Sequence, residues 1–305
     1  MADISMLATE LRFPEGPVWM ADGSVVLGEI AGGRVTRIAA DGSKTEIGKA
    51  GGGPNGVATG PDGALYVCNN GGAVYETTPS FLSTGPAPDY KGGSIQRIDP
   101  KTGETRTLYS EANGHKLSAP NDIVFDRQGG FYFTDLGKRY KHHRDNGGLY
   151  YALPDGSSVT ELVYPIITPN GVGLSPDEKT VYVADTETSR VYAWEIVSPG
   201  KLKHEPFPAP YGGRCVCGLP GFQRFDSLAV AASGNICVAT LIAGCITVIS
   251  PAGEVVRQVE VPDVYPTNIC FGGPELRTAY ITLSASGRLA AMPWPEPGLR
   301  LNFMA

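Results

Sequence analysis

Oxygen-bearing side chains recur at one fixed place in a motif that repeats six times along the chain. The motif is a polar residue, a short apolar strand, a glycine-type turn and a second strand of aromatic or β-branched residues. The polar position is occupied in turn by Glu15, Asn55, Asn121, Asn170, Asp226 and Thr267. Oxygen donors without a thiolate or imidazole suit Ca²⁺, Mg²⁺ or Mn²⁺, and also Zn²⁺ at an open, carboxylate-rich site. If the six residues converge, they predict a cation site.

The two acids are distributed unevenly in this series, because Glu15 and Asp226 each stand once among amides. Two carboxylates facing each other in a narrow, partly dehydrated channel would repel unless a cation lay between them. The alternative is that all six residues are strand-entry caps, a common role of Asn and Asp. Capping alone would allow the same residue in every unit, so the uneven series favours specialised roles.

The elements that must bring these residues together follow from the repeat. Successive polar positions are 40, 66, 49, 56 and 41 residues apart, and each unit ends in a strand that leads into a tight turn rich in Pro, Asp and Gly. Each unit therefore holds about four short antiparallel strands, which cannot bury both faces alone. We predict an all-β, six-bladed β-propeller of four-stranded antiparallel blades with a central metal site, as one domain over residues 1–305. A β-sandwich would share the frequent turns but not six copies of a two-part motif.

Composition excludes several other classes. Forty Gly and 25 Pro among 305 residues leave little room for the long helices of a bundle, and a net charge of −6 lacks the basic excess that nucleic-acid binding needs. No run of 18 apolar residues occurs and no secretory signal is recognisable, so we expect no membrane partner and a cytoplasmic location. Six Cys are too few for a disulfide framework, and Cys68, Cys237 and Cys270 are expected to pack as small apolar residues.

Propeller geometry predicts which segments surround the channel. Residues 1–13 precede the first unit and are expected to add an outer strand to the last blade. The connection between the second and third strands crosses the mouth where the polar residues lie, and this connection is long in units two and three. Residues 71–93 and 136–147 are therefore predicted to overhang the mouth, and residues 198–224, between units four and five, to emerge on the same face. All three are expected to form pocket walls.

The 136–147 loop is strongly basic. It could recognise a substrate carboxylate or phosphate, but a charge run is more often a solvated face, and we favour that interpretation. Tyr140 and Phe81 are candidates to pack on substrate. The basic residues of the loop are Lys138, Arg139, Lys141, His142, His143 and Arg144.

Four of the repeated segments carry a family resemblance over nearly the whole chain. They are FPEGPVW with Glu15, SAPNDIVF with Asn121, TPNGVGLSPDEKTVYVAD with Asn170 and FDSLAVAASGNICVAT with Asp226. In order and spacing they resemble the senescence-marker-protein, gluconolactonase and regucalcin family of six-bladed propellers. The resemblance implies lactone hydrolysis and one divalent cation, Ca²⁺ first, with Zn²⁺, Mg²⁺ or Mn²⁺ as alternatives. It implies Glu15, Asn170 and Asp226 as direct ligands, with Asn121 contacting the substrate or completing the metal shell.

The expected chemistry is hydrolysis of a small-molecule lactone. The cation would polarise the ring carbonyl, and Asp226, with Glu15 as the second catalytic carboxylate, would take a proton from the attacking water. Whether Asp226 or the cation activates that water stays open at this point. Asn121 and Asn55 are the candidate substrate-binding residues, and for Asn55 and Asp185 a supporting role is favoured over direct catalysis.

One departure from the family affects the substrate. Animal members carry an Arg two residues before the Asn121 position, where it contacts sugar hydroxyls, and this chain has Ala119. A sugar lactone of the gluconolactone type stays the leading substrate, with other lactones and esters open. Two further alternatives are hydrolysis of phosphotriesters at the same site and a non-enzymatic propeller scaffold.

Overall fold

The computed structural model describes residues 3–76 and 82–304, except for the side chain of Leu82. Within these ranges the chain forms six antiparallel sheets arranged around a central channel, which confirms the six-bladed propeller. The innermost strands of the six blades are buried over nearly their whole length, because each is flanked by the strands of two neighbouring blades. They are β2 (Pro14–Trp19), β6 (Pro54–Thr59), β14 (Pro120–Phe125), β18 (Pro169–Leu174), β23 (Arg224–Val230) and β27 (Pro266–Gly272).

The second and third strands of each blade continue the sheets outwards and carry most of the apolar core between blades. The second strands are β3 (Val25–Glu29), β7 (Leu65–Asn69), β15 (Phe131–Asp135), β19 (Thr180–Asp185), β24 (Ile236–Leu241) and β28 (Thr278–Leu283). The third strands are β4 (Arg34–Ile38), β10 (Ser94–Ile98), β16 (Gly147–Ala152), β20 (Arg190–Ser198), β25 (Cys245–Ile249) and β29 (Arg288–Pro293).

The outermost strands carry mostly exposed and half-buried side chains, as expected of strands at the outer edge of each sheet. They are β5 (Lys44–Lys49), β11 (Thr105–Tyr109), β17 (Val159–Ile166), β22 (Arg214–Gly218), β26 (Val255–Glu260) and, in the last blade, β1 (Ser5–Ala8). Strand β1 pairs antiparallel with β29, so the N-terminal segment completes the sixth blade as predicted. The ring closes because β27 also lies beside β2.

Short elements lie outside the blades or extend them. The shorter strands are β8 (Ala73–Glu76), β9 (Leu82–Pro86), β12 (Glu111–Ala112), β13 (His115–Lys116) and β21 (Lys201–Leu202), and the 3₁₀ helices are η1 (Ile30–Gly32) and η2 (Pro210–Gly212). Across the described residues, no helix is long and apolar enough to cross a membrane. Cys68, Cys237 and Cys270 are all buried, as their strand context predicted, and Cys68 and Cys237 belong to apolar clusters.

The expectation that residues 198–224 form a pocket wall is wrong. Every residue of this segment is described, and none of them lines the cavity at the channel mouth. Strand β22 instead pairs with β20 from Arg190 to Ala193 and supplies the outer strand of blade four. The two-residue β21 is too short to pair along the whole of β20, the third strand of this blade. The connection therefore returns to the exposed edge of β20 and pairs with it as β22.

Candidate active site

A cavity of about 240 Å³ lies at the channel mouth, and five of the six repeated polar residues line it. These five are Glu15, Asn55, Asn121, Asn170 and Asp226, each between 3% and 7% exposed. The sixth, Thr267, is not part of the lining. Its hydroxyl lies within hydrogen-bond distance of the Ser284 hydroxyl at 2.6 Å and that of Thr282 at 3.0 Å. The repeat therefore lines the cavity with five of the six residues that it predicted, and Thr267 supports the ring through a side-chain hydrogen bond to Glu15.

A break in strand register follows each polar residue and positions its side chain. The pairing of β2 with β3 shifts between Glu15 and Val18, and equivalent shifts occur at the start of the other five innermost strands. Such bulges bend the strand and redirect a side chain locally. The neighbouring blades also come very close here: a Cβ on Gly16, whose φ is +55°, would lie 2.4 Å from the Asn55 carbonyl oxygen. Glycine is needed at this position both for space and for conformation.

The two carboxyl groups of the ring, of Glu15 and Asp226, both have raised pKa values. Burial raises the pKa of Glu15 to about 8, opposed by the hydrogen bond from the Gly16 N–H and increased by the nearby Asp122 charge. Burial also raises the pKa of Asp226 well above its usual value, and the Glu15 carboxylate adds to this effect. No lysine, arginine or histidine among the described residues forms an ion pair with either carboxylate. Both carboxyls therefore favour a proton or a cation at neutral pH.

The three amides differ in how they are held. The Nδ2 of Asn170 donates to the Thr186 hydroxyl at 3.0 Å, and its Oδ1 accepts from the Ser227 hydroxyl at 3.2 Å. By contrast, the Oδ1 atoms of Asn55 and Asn121 are buried and have no hydrogen-bond partner among the described residues. A buried amide oxygen without a partner costs about 1–3 kcal/mol, which a ligand at this position would offset.

A second tier of polar residues below the ring was missed by the sequence analysis. Asp122, Ser227 and Asn268 directly follow the polar positions of units three, five and six, where units one, two and four have glycine. Burial raises the pKa of Asp122 to about 7, although its carboxylate accepts from the N–H groups of Val172 and Ile123. The sequence signal for this second tier was the replacement of glycine directly after the polar position in units three, five and six.

These donors fit a divalent cation, provided that amide oxygens take part. Among residues 3–76 and 82–304, no three or more His, Cys, Asp or Glu side chains are grouped so that they alone could hold a metal ion. The ring offers the Glu15 and Asp226 carboxylates and the two unpaired amide oxygens of Asn55 and Asn121 at one cavity. A mixed carboxylate and amide set without sulfur or imidazole is typical of hard cations, Ca²⁺ in particular.

Two predicted lids do overhang the mouth. Ala73, Tyr75, Ser83 and Gly85 of the first loop line the cavity, as do residues 136–139 and Arg144 of the second. Lys138 is buried, and its Nζ donates to the carbonyls of Asn70 and Gly72, both at 2.7 Å. Lys138 therefore joins the two loops, and burial lowers its pKa to about 8. It is not solvated, unlike Lys141, His142 and His143, whose predicted exposure is confirmed.

Other predicted positions have different outcomes. Tyr140 does not line the cavity; its ring stacks on His143 with centroids 4.4 Å apart, because the turn of the loop folds the two rings together. Phe81 lies outside the described residues. Asp185 is fully buried and accepts hydrogen bonds from Thr168 and Thr188, which fits the supporting role expected of it. Ala119 lines the cavity without contributing a polar side chain.

Comparison with known proteins places this cavity in a family context. Residues 13–285 match the family model described as the SMP-30/gluconolactonase/LRE-like region. The chain belongs to this family. Among its relatives in the family, the lactonase drp35 of Staphylococcus haemolyticus is 30% identical over 250 residues, which cover 81% of this chain and 69% of that protein. Membership places the chain among lactonase-type enzymes and favours an enzyme over a binding scaffold.

Solved structures agree with the family's fold. A gluconolactonase from Xanthomonas campestris superposes with a TM-score of 0.76 at 23% identity, covering 96% of this chain and 90% of that one. A calcium-binding protein, regucalcin, from Agrobacterium tumefaciens superposes with a TM-score of 0.72 at 19% identity, covering 97% of both chains. At these identities the two structures establish the shared fold alone.

Proposed function

We propose that this protein is a metal-dependent hydrolase that opens a lactone ring, with a sugar lactone of the gluconolactone type as the leading substrate. The observation that carries the proposal is the set of buried, unpaired oxygen donors at the base of a small cavity, in a chain whose relatives include lactonases. A cavity of about 240 Å³ is large enough for a single ring.

Glu15, Asn170, Asp226 and Asn121 are the proposed ligands of the cation, and Ca²⁺ is the favoured ion. A divalent cation held by these residues would supply Lewis-acid chemistry, polarising the lactone carbonyl and stabilising negative charge on its oxygen. Thr186 and Ser227 hold the Asn170 amide, which lines the cavity, in one orientation.

Asp226 is the proposed general base. Its carboxylate would accept a proton from water as the water oxygen bonds to the carbonyl carbon, and would return that proton to the ring oxygen as the ring C–O bond breaks. The product is the open-chain hydroxy acid. Glu15 would keep a negative charge opposite Asp226, and Asn55 and Asn121 have amide groups available for the substrate's own polar atoms.

The test is a panel of lactones with proton release followed continuously. Metal-free protein, prepared with EDTA, should lose at least about 90% of its activity, and a single added metal should restore it. Paraoxon is included because the same site could polarise a phosphoryl oxygen. Turnover of paraoxon above every lactone, or full lactone turnover after complete metal removal, would overturn the proposal.

Metal binding is followed separately from activity by thermal unfolding. Saturating Ca²⁺ stabilises a protein that binds it by about 2.7 kcal/mol at one hundred times Kd, and Glu15→Gln should remove most of this shift. Glu254→Gln, which makes the same chemical change at an exposed turn, serves as the matched control and should keep it.

A further inference from the structure

One part of the cavity lining carries an excess of positive charge. Lys138, Arg139 and Arg144 all line the cavity, and among the described residues Glu187 is the one acidic side chain of the lining besides Glu15 and Asp226. The Lys138 ammonium group already has partners within the protein. Its Nζ donates hydrogen bonds to two backbone carbonyls and lies 4.6 Å from the centre of the Tyr90 ring. Arg139 and Arg144 are left as the cations that can bind a ligand.

The two arginines lie directly opposite each other. An isolated antiparallel bridge pairs Arg139 with Arg144 across the loop. Like charges at directly opposed positions destabilise a strand pair, unless an anion lies between them. Burial lowers the pKa of the Arg144 guanidinium and the Arg139 charge adds to this effect, so the two guanidinium groups are close enough to repel each other.

The acidic residues nearby do not balance this charge. Glu187 is shared: its oxygens lie 3.7 Å from Arg144 and 3.1 Å from Arg224. Arg139 has no carboxylate within 4.0 Å among the described residues. The guanidinium groups of Arg144 and Arg224 therefore share the one Glu187 carboxylate, and Arg139 has none in the described part of the chain. The neighbouring Asp185 carboxylate accepts hydrogen bonds from Thr168 and Thr188 instead.

Arg144 also has an unused donor. Its Nε is buried and finds no hydrogen-bond partner among the described residues. Its side chain is 27% exposed, so the guanidinium is partly removed from water while one N–H is unpaired. A buried donor left unpaired is costly, and a guanidinium presents its donors in a planar fork that matches a carboxylate.

This basic group adjoins the proposed reaction site. Thr186, which holds the Asn170 amide at 3.0 Å, is the residue before Glu187, and both line the cavity. A small molecule in a cavity of about 240 Å³ can therefore reach the oxygen ring and the arginines together. Much of the rest of the lining is apolar or aromatic, including Phe13, Ile30 and Tyr75.

We propose that the substrate carries a carboxylate in addition to its lactone ring, and that Arg144, with Arg139, binds this carboxylate. This inference rests on the proposed function only for the statement that the substrate contains a lactone ring. The arginines set specificity and take no part in bond making. A charge-assisted, two-pronged contact of this kind contributes more than a neutral hydrogen bond, which is enough to select an acid over its neutral analogue.

The catalytic test compares two lactones that differ at one carbon, D-glucaro-1,4-lactone with a carboxylate and D-glucono-1,4-lactone with a hydroxymethyl group. The wild-type protein should show a kcat/KM at least about tenfold higher for the acid. Arg144→Gln should lower this ratio about tenfold, mainly through KM for the acid, and Arg144→Lys should lower it less. Lys141→Gln, an exposed change in the same loop, should keep the ratio.

The binding test needs no catalysis. Tetrahydrofuran-2-carboxylate and tetrahydrofuran-2-carboxamide, neither of which is a lactone, are titrated into wild-type and Arg144→Gln protein by calorimetry. The carboxylate should bind about tenfold more tightly than the amide, and the variant should lose this difference. Inorganic phosphate is titrated as a third probe. Tighter Arg144-dependent binding of phosphate than of carboxylate would overturn the carboxylate assignment.

The two tests separate this inference from the proposed function. If no lactone is opened but carboxylate binding depends on Arg144, the proposed function fails and the anion site stands. If both lactones are opened with a ratio near one that Arg144→Gln does not change, the anion site fails and the lactonase stands. Thermal unfolding of each variant, compared with wild type, excludes loss of fold as the cause.

Discussion

The two ends of the central channel are built from the same six strands, yet they are opposites in chemistry. At the mouth, the first residues of the strands gather buried carboxylates and amides, two of which have unpaired oxygens. At the far end, the later residues of the same strands, such as Val18, Val172 and Leu228, line a predominantly apolar cavity of about 220 Å³. The chain's own segment Leu299–Met304 lies along this second cavity.

Within each innermost strand, the first residues serve binding at the mouth and the later residues serve stability at the far end. The far end is covered by the chain's own last residues: the Leu299 N–H donates to the Val230 carbonyl at 2.9 Å, and the Phe303 ring meets Phe125 edge-on. The mouth is unsatisfied, because like charges are buried together there without a basic partner. We infer that the mouth destabilises the metal-free protein and serves binding, whereas the far end stabilises the ring.

The largest expected effect is at the mouth. Asp226→Asn should lower kcat/KM for a lactone by about 10³-fold, because the general base and a cation ligand are lost together. The unfolding temperature of the metal-free protein should not fall, since the variant removes a buried charge that repels Glu15. Asp155→Asn, at an exposed turn, is the control for both measurements. Activity within tenfold of wild type would contradict the assignment of Asp226.

The reverse outcome is expected at the far end. A protein ending at Gly298 should lose about 2–4 kcal/mol of unfolding free energy in urea, because it lacks the bonds of Leu299 and Asn302 and the Phe303 contact. Its kcat in saturating metal should stay within about twofold of wild type at a temperature where both are folded. A parallel loss of kcat and stability would show that the two ends are not separable.

The pH dependence of stability should distinguish the mouth from the rest of the molecule. The pKa of Glu15 is about 8 in the folded state, above its unfolded value of 4.5, so the folded protein binds the extra proton between these values. Stability of the metal-free protein should therefore fall as pH rises from about 5 to 8, by about 3–6 °C in unfolding temperature.

Two comparisons isolate the Glu15 contribution to this slope. Glu15→Gln should make the slope shallower but not remove it, because burial also raises the pKa of Asp226 and of Asp122. Saturating Ca²⁺ should reduce the slope by replacing the proton. The His115–Glu161 pair, in which the hydrogen bond to Glu161 raises the His115 pKa, gives a slope of the same sign that neither change removes. An equal slope in wild type and Glu15→Gln would place the titration elsewhere.

The smallest predicted effect tests one contact at the far end. The Nδ2 of Asn302 lies 3.1 Å from the Phe125 carbonyl oxygen and 2.7 Å from Oε1 of Glu178. Asn302→Ala should cost about 1 kcal/mol of unfolding free energy, with lactone turnover unchanged. A cost near zero in matched urea titrations would mean that water replaces both bonds and that the end segment is held by its apolar contacts alone.

The repeat made the fold predictable. Six copies of a polar residue, a short strand and a turn required six blades, and the length of unit-internal connections located two lids correctly. Residues 198–224 were assigned wrongly because the length of a connection does not reveal whether it covers a mouth or pairs with a sheet edge. That choice was made by β20, which needed a partner for its exposed edge.

Sequence alone also determined which side chains could form the oxygen ring, because residue type and position in the repeat were both visible in Glu15, Asn170 and Asp226. Only the tertiary structure decided that Thr267 turns to its neighbours, that Lys138 joins two loops, and that Arg139 and Arg144 face each other beside Glu187. The physical reason is that a repeat fixes the positions of strand residues, whereas the surroundings of a loop charge depend on contacts between segments far apart in the chain.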